Sequence, residues 1–326
     1  MNALLKVEGL VTEFPTDDGT VRAVDGVSLQ VGEGEVLGLV GESGSGKTVT
    51  ALSLLRLVSD PGRIAAGSIT FDGTDIMSLS RAQMTGLRGN AISMVFQQPR
   101  ASLDPVQRVG KQIAELFIRH RGTPRRAAMV DAIELLRRVG IPDPDRRARS
   151  YPHELSGGQA QRVMIAMALA LKPRLLIADE PTTALDVTIQ AQILDLLRNL
   201  CRETGTAMIL VTHDLGVVAQ TADRVAVMYA GQIVEEQTVT GLFDAPRHPY
   251  TQALLSSMPV QGRAQHRLTQ LPGNVPRPGM MPPACRFAPR CSKRVDLGLT
   301  RCTLEAPPLI PVGQGSSRCW LATEET

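Results

Sequence analysis

Eight consecutive residues, Gly41–Thr48, constrain the fold of this chain more than any other feature. Their sequence, GESGSGKT, matches the pattern G-x-x-x-x-G-K-[ST] in full. It follows the short, mostly apolar run Glu35–Val40 and precedes a segment whose pattern predicts a helix from about Lys47 to Val58. A chance turn rich in Gly and Ser is the alternative, and the flanking strand and helix argue against it. The sequence therefore predicts a phosphate-binding loop between a buried strand and a helix.

The chemistry of such a loop follows from its residue types. Glycines let backbone N–H groups close around phosphate oxygens, and the helix start adds the positive end of its dipole. We expect Lys47 to hold the β- and γ-phosphates of a nucleotide and the Thr48 hydroxyl to ligate Mg²⁺. The residues expected to surround the phosphates are Gly41, Ser43, Gly44, Ser45, Gly46, Lys47 and Thr48.

Polar side chains follow two further apolar runs. Asp179 and Glu180 come directly after Leu175–Ala178, and a carboxylate at the carboxyl end of a parallel strand points into the ligand crevice. We expect Asp179 to bind Mg²⁺, through water, and Glu180 to polarise an attacking water, and a helix-capping pair is the alternative. His213 follows the run Ala207–Val211 and is a candidate γ-phosphate contact, although a lone histidine is more often structural.

The order of these runs predicts an α/β fold. Residues 4 to 40 have the pattern of strands with turns, and residues 107 to 150 that of Arg-rich helix ended by Pro142 and Pro144. A further helix is expected from about Gly157 to Leu171, stopped by Pro173. Alternating strands and helices of this kind indicate a mostly parallel sheet covered by helices.

Composition excludes several classes of protein. With 43% hydrophobic and 21% charged residues and a net charge of only +3, the 326-residue chain resembles an ordinary globular protein and shows no whole-chain signal for nucleic acid. Its longest apolar run, Val163–Leu171, is too short to cross a bilayer. The N-terminus lacks the layout of a signal peptide, so we expect the chain to stay in the cytosol.

The composition changes at about Ala245. Residues 261 to 326 contain nine of the 22 prolines and four of the five cysteines, and carry nine Lys/Arg against four Asp/Glu. Such a segment is not a long regular helix or sheet, and we expect a separate small module. The fifth cysteine, Cys201, lies in a predicted helix and is expected to be core.

The sequence Leu155-Ser156-Gly157-Gly158-Gln159 completes an ordered set of motifs. Together with the phosphate loop, Gln97, Asp179-Glu180, Ala184-Leu185-Asp186 and His213, it resembles the ATPase subunits of ABC transporters over roughly the first three quarters of the chain. The resemblance implies a P-loop NTPase with a RecA-like core, an antiparallel β subdomain and an inserted helical subdomain. The expected boundaries are residues 1–245 for the ATPase domain, with the helical subdomain at about 98–158, and 246–326 for an irregular C-terminal domain rich in Cys and Pro.

The resemblance also assigns roles to single residues. Glu180, His213 and Gln97 would be catalytic, and Gln97 would join Thr48 and Asp179 at Mg²⁺ while coupling nucleotide state to a membrane partner. Phe14, the first aromatic residue of the chain, would stack on adenine, although a core role is the alternative. Each ATP would be completed in trans by a second ATPase subunit, through Ser156, Gly157, Gly158, Gln159 and Asp186.

Four further segments resemble the dipeptide, oligopeptide and nickel importer branch, closest to the dipeptide-permease type. They are GESGSGK at residues 41–47, ASLDPV at 101–106, YPHELS at 151–156 and RHPYT at 247–251. This branch implies two integral-membrane permease subunits, a second and related ATPase chain, and an extracytoplasmic solute-binding protein that delivers peptide. Nickel, glutathione and opine-type solutes are alternative cargoes. Soluble ABC proteins that act on ribosomes or DNA usually have tandem ATPase domains or long coiled coils, which this sequence lacks.

The tail cysteines, Cys285, Cys291, Cys302 and Cys319, have five, ten and sixteen residues between successive members. No C-x₂₋₄-C pair typical of zinc is present, whereas iron–sulfur clusters accept varied spacing. The resemblance implies a [4Fe–4S] cluster on these four residues, with a structural rather than a redox role. Zinc and free thiols are the alternatives.

Overall fold

The computed structural model describes residues 3–183, 185–258, 271, 273–276 and 280–323. The chain divides into two compact units. The first unit contains Val31–Glu35 and Ser78–Leu210. The second unit contains Ala3–Gln30, Val36–Met77 and Val211–Thr326. The C-terminal tail therefore groups with the second unit, and the boundary at residue 245 stays a prediction.

The first unit is built on buried parallel strands. Its strands are β6 (Ile92–Val95), β7 (Leu175–Asp179) and the first residues of β8 (Ala207–Thr212). β6 and β7 pair in parallel from Ile92 opposite Leu175 to Val95 opposite Ala178. Every residue of β7 is buried, which explains its uninterrupted apolar sequence. Because β7 ends at Asp179, this carboxylate lies at the carboxyl edge of the strands, as the sequence predicts.

Helices supply the rest of the first unit. They are α2 (Arg81–Leu87), α3 (Val109–Arg121), α4 (Arg125–Arg138), α5 (Pro144–Arg147), α6 (Gly157–Leu169) and α7 (Val187–Thr204). The Arg-rich segment is thus helical but forms three helices. α3 ends at Gly122, whose φ of 65° closes the helix. Pro144 begins α5 instead of ending a helix, because proline lacks only an N–H that the first turn leaves unbonded.

The second unit contains two sets of strands. The first set is a sheet in the order β2–β1–β4–β5, with β1 (Leu5–Thr16), β2 (Gly19–Val31), β4 (Arg63–Phe71) and β5 (Thr74–Asp75). β1 and β4 are antiparallel, with Leu5 opposite Phe71 and Glu13 opposite Arg63. This sheet corresponds to the antiparallel subdomain that the resemblance implies.

The other set has the order β11–β12–β10–β9–β3. Its strands are β3 (Val36–Val40), β9 (Arg224–Tyr229), β10 (Gln232–Thr238), β11 (Ile310–Val312) and β12 (Gly315–Ser317). β3 and β9 are parallel, but the neighbouring pairs β9–β10, β10–β12 and β12–β11 are antiparallel. The expectation of a mostly parallel sheet is therefore wrong for this half, because the tight turn at Ala230-Gly231 reverses the chain between β9 and β10.

The remaining helices of the second unit are short. They are α1 (Lys47–Leu54), α8 (Leu215–Thr221), α9 (Val239–Asp244), α10 (Pro249–Ser256), α11 (Ser292–Asp296) and α12 (Arg301–Leu304). The described part of the tail has no long regular element, as its prolines predict. Its β12 hydrogen-bonds to β10, and its Phe287 is buried in the same core as Tyr229 and Tyr250.

Within the described residues, no helix is both long and apolar enough to cross a membrane.

Candidate functional site

The phosphate loop joins β3 to α1, and two of its positions have a conformation that requires glycine. Gly41 has a φ of 155°, and a Cβ there would lie 2.1 Å from the Met228 carbonyl oxygen. Gly46 has a φ of 106°, and its Cβ would lie 2.4 Å from the Ala23 carbonyl oxygen. The loop therefore packs closely against neighbouring backbone, and its exposed side is left to Ser43 and Gly44.

Lys47 opens α1 and bends back over the loop. Its ammonium donates hydrogen bonds to the carbonyl oxygens of Gly41 (2.7 Å) and Glu42 (2.9 Å), and the residue is only 5% exposed. Ser45 is fully buried, whereas Thr48 is exposed on the first turn of α1. This is a preorganised cradle with one buried cation, which suits an anionic group at the helix start. The roles of these residues toward ATP and Mg²⁺ stay predictions.

Glu180 is held by two side chains of the first unit. Gln97 Nε2 and Thr183 Oγ1 donate to the same oxygen, Glu180 Oε2, over 2.7 and 2.8 Å. Glu180 has a φ of 45°, a conformation that is rare for residues other than glycine and is concentrated at functional sites. Asp179, the preceding residue, is 2% exposed. The sequence predicts Gln97 and Glu180 as site residues, and the structure brings them together.

Thr183 is a site residue that belongs to none of the sequence motifs described above. The residue lies three positions after Glu180 in the turn that follows β7, and its own backbone N–H donates to the Glu180 carbonyl oxygen (3.2 Å). A side chain that bonds back to a residue three positions earlier in a turn is a common property of threonine, so the spacing is a usable signal.

The LSGGQ segment forms the start of α6. Ser156 caps this helix: its hydroxyl accepts a hydrogen bond from Gln159 N, and its own N–H donates to Gln159 Oε1, both over 3.3 Å. Ser156 and Gly157 are exposed, so the unbonded N–H groups of the first turn are accessible. An exposed helix start without side chains at Gly157 and Gly158 can receive an anion from another molecule.

Three other predicted residues keep their roles as predictions. Asp186 is exposed and caps α7 by accepting from Ile189 N (3.0 Å), while Ala184 lies outside the described residues. His213 is exposed directly after β8 in the second unit. Phe14 is half-buried in β1, with its ring so close to Gly62 that a Cβ there would lie 2.3 Å from it.

The RHPYT segment connects β10 to the phosphate loop within the second unit. The Glu235 carboxylate, fully buried, accepts from the backbone N–H groups of Arg247 (2.7 Å) and His248 (2.8 Å). His248 Nδ1 caps α10 by accepting from Tyr250 N (3.0 Å), and burial lowers the pKa of His248 to about 3. The Tyr250 hydroxyl in turn accepts from Glu42 N (2.9 Å) in the phosphate loop.

The four tail cysteines line one apolar pocket. Its other apolar wall residues include Pro249, Phe287 and Trp320. Burial raises the pKa of all four thiols, that of Cys319 to about 11. All five cysteines of the chain are free thiols, and burial raises the pKa of Cys201 in α7 to about 12.

The four cysteine side chains provide the donors for a group that takes four thiolates, but they are not arranged around a single metal ion. Across the described part of the chain, no three His, Cys, Asp or Glu side chains are arranged to hold one metal ion. The free volume among the cysteines is about 10 Å³, close to that of one water, so a cluster requires the thiols to move apart. Four cysteines in an apolar wall are nevertheless the ligand set that iron–sulfur clusters use.

Two family descriptions match the sequence. Residues 24–183 match the ABC transporter family, and residues 234–297 match the C-terminal region of oligopeptide and dipeptide transporters. The first match contains the phosphate loop, Gln97, LSGGQ and Asp179-Glu180. The second contains Glu235, the RHPYT segment, Cys285 and Cys291.

Individual relatives agree with these matches. The chain is 48% identical to the oligopeptide transport ATP-binding protein AppD of Bacillus subtilis (strain 168), over 100% of this chain and 98% of that protein. Among solved structures, the dimeric ATP-binding cassette MJ0796 bound to ADP and Pi has a TM-score of 0.66 and 30% identity, covering 72% of this chain and 98% of that one. CbiO1 of Clostridium perfringens, part of the transporter complex cbiONQ, has a TM-score of 0.63 and 29% identity, covering 75% and 92%.

Proposed function

Because this chain belongs to the ABC transporter family of ATPases, in its oligopeptide and dipeptide branch, we propose that it binds and hydrolyses ATP to power peptide import across the cytoplasmic membrane. One observation carries the proposal. The chain has a complete phosphate loop around buried Lys47 and, separately, an exposed capped helix start at Ser156. One anion-binding site serves its own nucleotide, and the other is available to a second subunit.

The mechanism that we propose is a clamp made of two ATPase subunits. ATP lies between the phosphate loop of one subunit and the LSGGQ helix start of the other, so that γ-phosphate contacts come from both. ADP lacks the γ-phosphate and gives up those contacts. ATP therefore stabilises the closed pair and ADP does not, and this differential affinity drives the cycle.

Glu180 is the residue that we assign to activation of water. Its carboxylate lies directly after the carboxyl end of β7, and Gln97 and Thr183 both donate hydrogen bonds to its Oε2, which fixes its orientation. Thr48, Gln97 and Asp179 would hold Mg²⁺, and Gln97 would also couple nucleotide state to the membrane partner. The ion, when bound, supplies charge neutralisation at the β- and γ-phosphates.

The assembly that we propose has the composition of its branch. Two permease subunits span the membrane, this chain and a second, related ATPase lie on their cytoplasmic face, and an extracytoplasmic binding protein delivers the peptide. The relative AppD carries oligopeptide transport in its name, which supports a peptide cargo. Nickel, glutathione or opine-type solutes form the second candidate, because cargo is selected by subunits other than the ATPase.

The test is uptake by the whole complex. Membranes containing the co-expressed permeases, both ATPases and the binding protein are reconstituted into vesicles, and ATP-dependent uptake of labelled di- and oligopeptides is compared with that of nickel and glutathione. We expect peptide uptake, and we expect it to be lost with Lys47→Ala. Peptide uptake that persists in the Lys47→Ala complex would refute the proposal, and uptake of nickel or glutathione alone would favour the second candidate.

For the four-cysteine pocket we propose a [4Fe–4S] cluster on Cys285, Cys291, Cys302 and Cys319 with a structural role. It would staple a tail that has little core of its own. The protein is purified without oxygen, and iron, sulfide and visible absorption are measured. We expect a brown product that becomes colourless with Cys302→Ser and stays brown with the control Cys201→Ser. A colourless wild-type protein containing zinc, or no metal, would refute the cluster.

A further inference from the structure

The segment Cys285–Cys291, with the sequence CRFAPRC, carries two arginines that reach out of the tail. Each arginine directly adjoins one of the two cysteines, which both line the four-cysteine pocket. Neither arginine belongs to that pocket's lining. Phe287 between them is 3% exposed and meets the ring of Tyr229 edge-on, with centroids 5.3 Å apart. The segment is therefore fixed in the core of the second unit at its middle.

Arg290 forms a two-pronged ion pair with the phosphate loop. Its Nη1 and Nη2 donate to the two carboxylate oxygens of Glu42 over 2.6 and 3.1 Å. The Arg290 side chain is only 5% exposed and its guanidinium lies 5.7 Å from the centroid of the Tyr229 ring. A bidentate pair between a planar guanidinium and a carboxylate in a mostly buried setting fixes orientation as well as neutralising charge.

Arg286 acts on the phosphate loop indirectly, by contacting the turn between β9 and β10. It donates to the Ala230 carbonyl oxygen and pairs with Asp25. The next residue, Gly231, makes two backbone hydrogen bonds. Its N–H donates to the carbonyl oxygen of Ser45 in the phosphate loop (2.8 Å), and its carbonyl oxygen accepts from Asp25 N (2.8 Å). One end of the tail segment thus contacts the second loop residue, and its other end fixes the turn that bonds the loop at Ser45.

From these contacts we infer that the Cys285–Cys291 segment holds the phosphate loop in its nucleotide-binding shape, with Arg290 as the principal positioning residue. Glu42 is a carboxylate in a loop that must accept a polyanion, so its charge has to be neutralised and turned away. Arg290 does both. The inference rests on the proposed nucleotide role of the loop, and it does not depend on whether the cysteines hold a cluster.

ADP binding by the purified full chain tests the inference without hydrolysis, dimerisation or transport. Arg290→Met keeps the length and packing of the side chain but removes the pair with Glu42. We expect its Kd for Mg-ADP to rise by about tenfold, the scale of one partly buried charged pair. Lys293→Met, which removes an exposed cation three residues further along, is the matched control and is expected to stay within about twofold of wild type.

A double-variant cycle distinguishes positioning from general destabilisation. Glu42→Gln alone is expected to weaken binding because it breaks the two-pronged pair, but adding it to Arg290→Met is expected to cause no further loss, because the two residues act through one contact. Arg290→Lys keeps the positive charge, but an ammonium cannot reproduce the two-pronged geometry. Its Kd for Mg-ADP is therefore expected to be about threefold higher than that of wild type. An unchanged Kd in Arg290→Met, or independent losses that multiply in the double variant, would overturn the inference. Failure of all variants and of wild type to bind ADP would instead remove the proposed function itself.

Discussion

The Thr183 hydroxyl offers a sensitive test of how the catalytic carboxylate is held. Thr183→Val replaces one hydroxyl by a methyl of nearly the same size and removes the 2.8 Å hydrogen bond to Glu180 Oε2. Hydrogen bonds to charged groups contribute about 1.5–3 kcal/mol. Thr183 is exposed, and Gln97 still holds the same oxygen, so the lower end of that range applies. About 1.4 kcal/mol corresponds to a tenfold loss of rate.

The assay is steady-state ATP hydrolysis by the assembled complex, with kcat and KM determined separately. We expect kcat to fall about tenfold and the KM for ATP to stay within about twofold, since the phosphate loop is untouched. Thr182→Val, one residue earlier, is the control and should retain kcat. If Thr183→Val hydrolyses ATP at the wild-type rate, or if only KM changes, the hydrogen bond does not position Glu180 for the reaction.

Three further predictions follow from individual residues. Glu180→Gln should bind ATP and stall in the closed pair, and phosphate release at the wild-type rate would remove Glu180 from catalysis. Gly46→Ala should lower the free energy of unfolding, measured by thermal unfolding, by more than about 2 kcal/mol, because its Cβ would lie 2.4 Å from the Ala23 carbonyl oxygen. The control Gly44→Ala has open space around its Cβ and introduces backbone strain alone, so it should lower the free energy of unfolding by about 1 kcal/mol. Burial raises the pKa of Cys201 from 9.0 to about 12, so its alkylation at pH 8, measured by peptide mass mapping, should be about a thousandfold slower in the native than in the urea-unfolded protein. Because the pKa is higher in the folded state, the contribution of Cys201 to stability is full below pH 9 and is lost as pH rises toward 12.

The local parts of the site could be predicted from the sequence because their signals are local. The phosphate loop, the start of α6 and the end of β7 each combine a residue pattern with its flanking element, and the structure has each element close to the expected limit, except for the end of α1. That helix ends at Leu54 rather than near Val58, because Arg56 takes a φ of 51° and turns the chain.

The contacts that join distant parts of the chain could not be predicted. Tyr250 and Arg290 meet Glu42 across 208 and 248 residues, and neither sequence position carries a local sign of its partner. The sequence marks RHPYT only as a segment that resembles a branch of the family. Its physical content, a buried Glu235 that orders two backbone N–H groups and a tyrosine that reaches the phosphate loop, requires the fold.

The proposed clamp requires that two subunits together complete each nucleotide site. Ser156→Arg in this chain, in the assembled complex, is the measurement that tests it, because a long cation would fill the exposed start of α6 while the sequence of the phosphate loop stays unchanged. We predict that ADP still binds the isolated variant chain with a Kd within about twofold of wild type, while ATP hydrolysis by the complex falls at least about tenfold. Undiminished hydrolysis in the Ser156→Arg complex would contradict the claim.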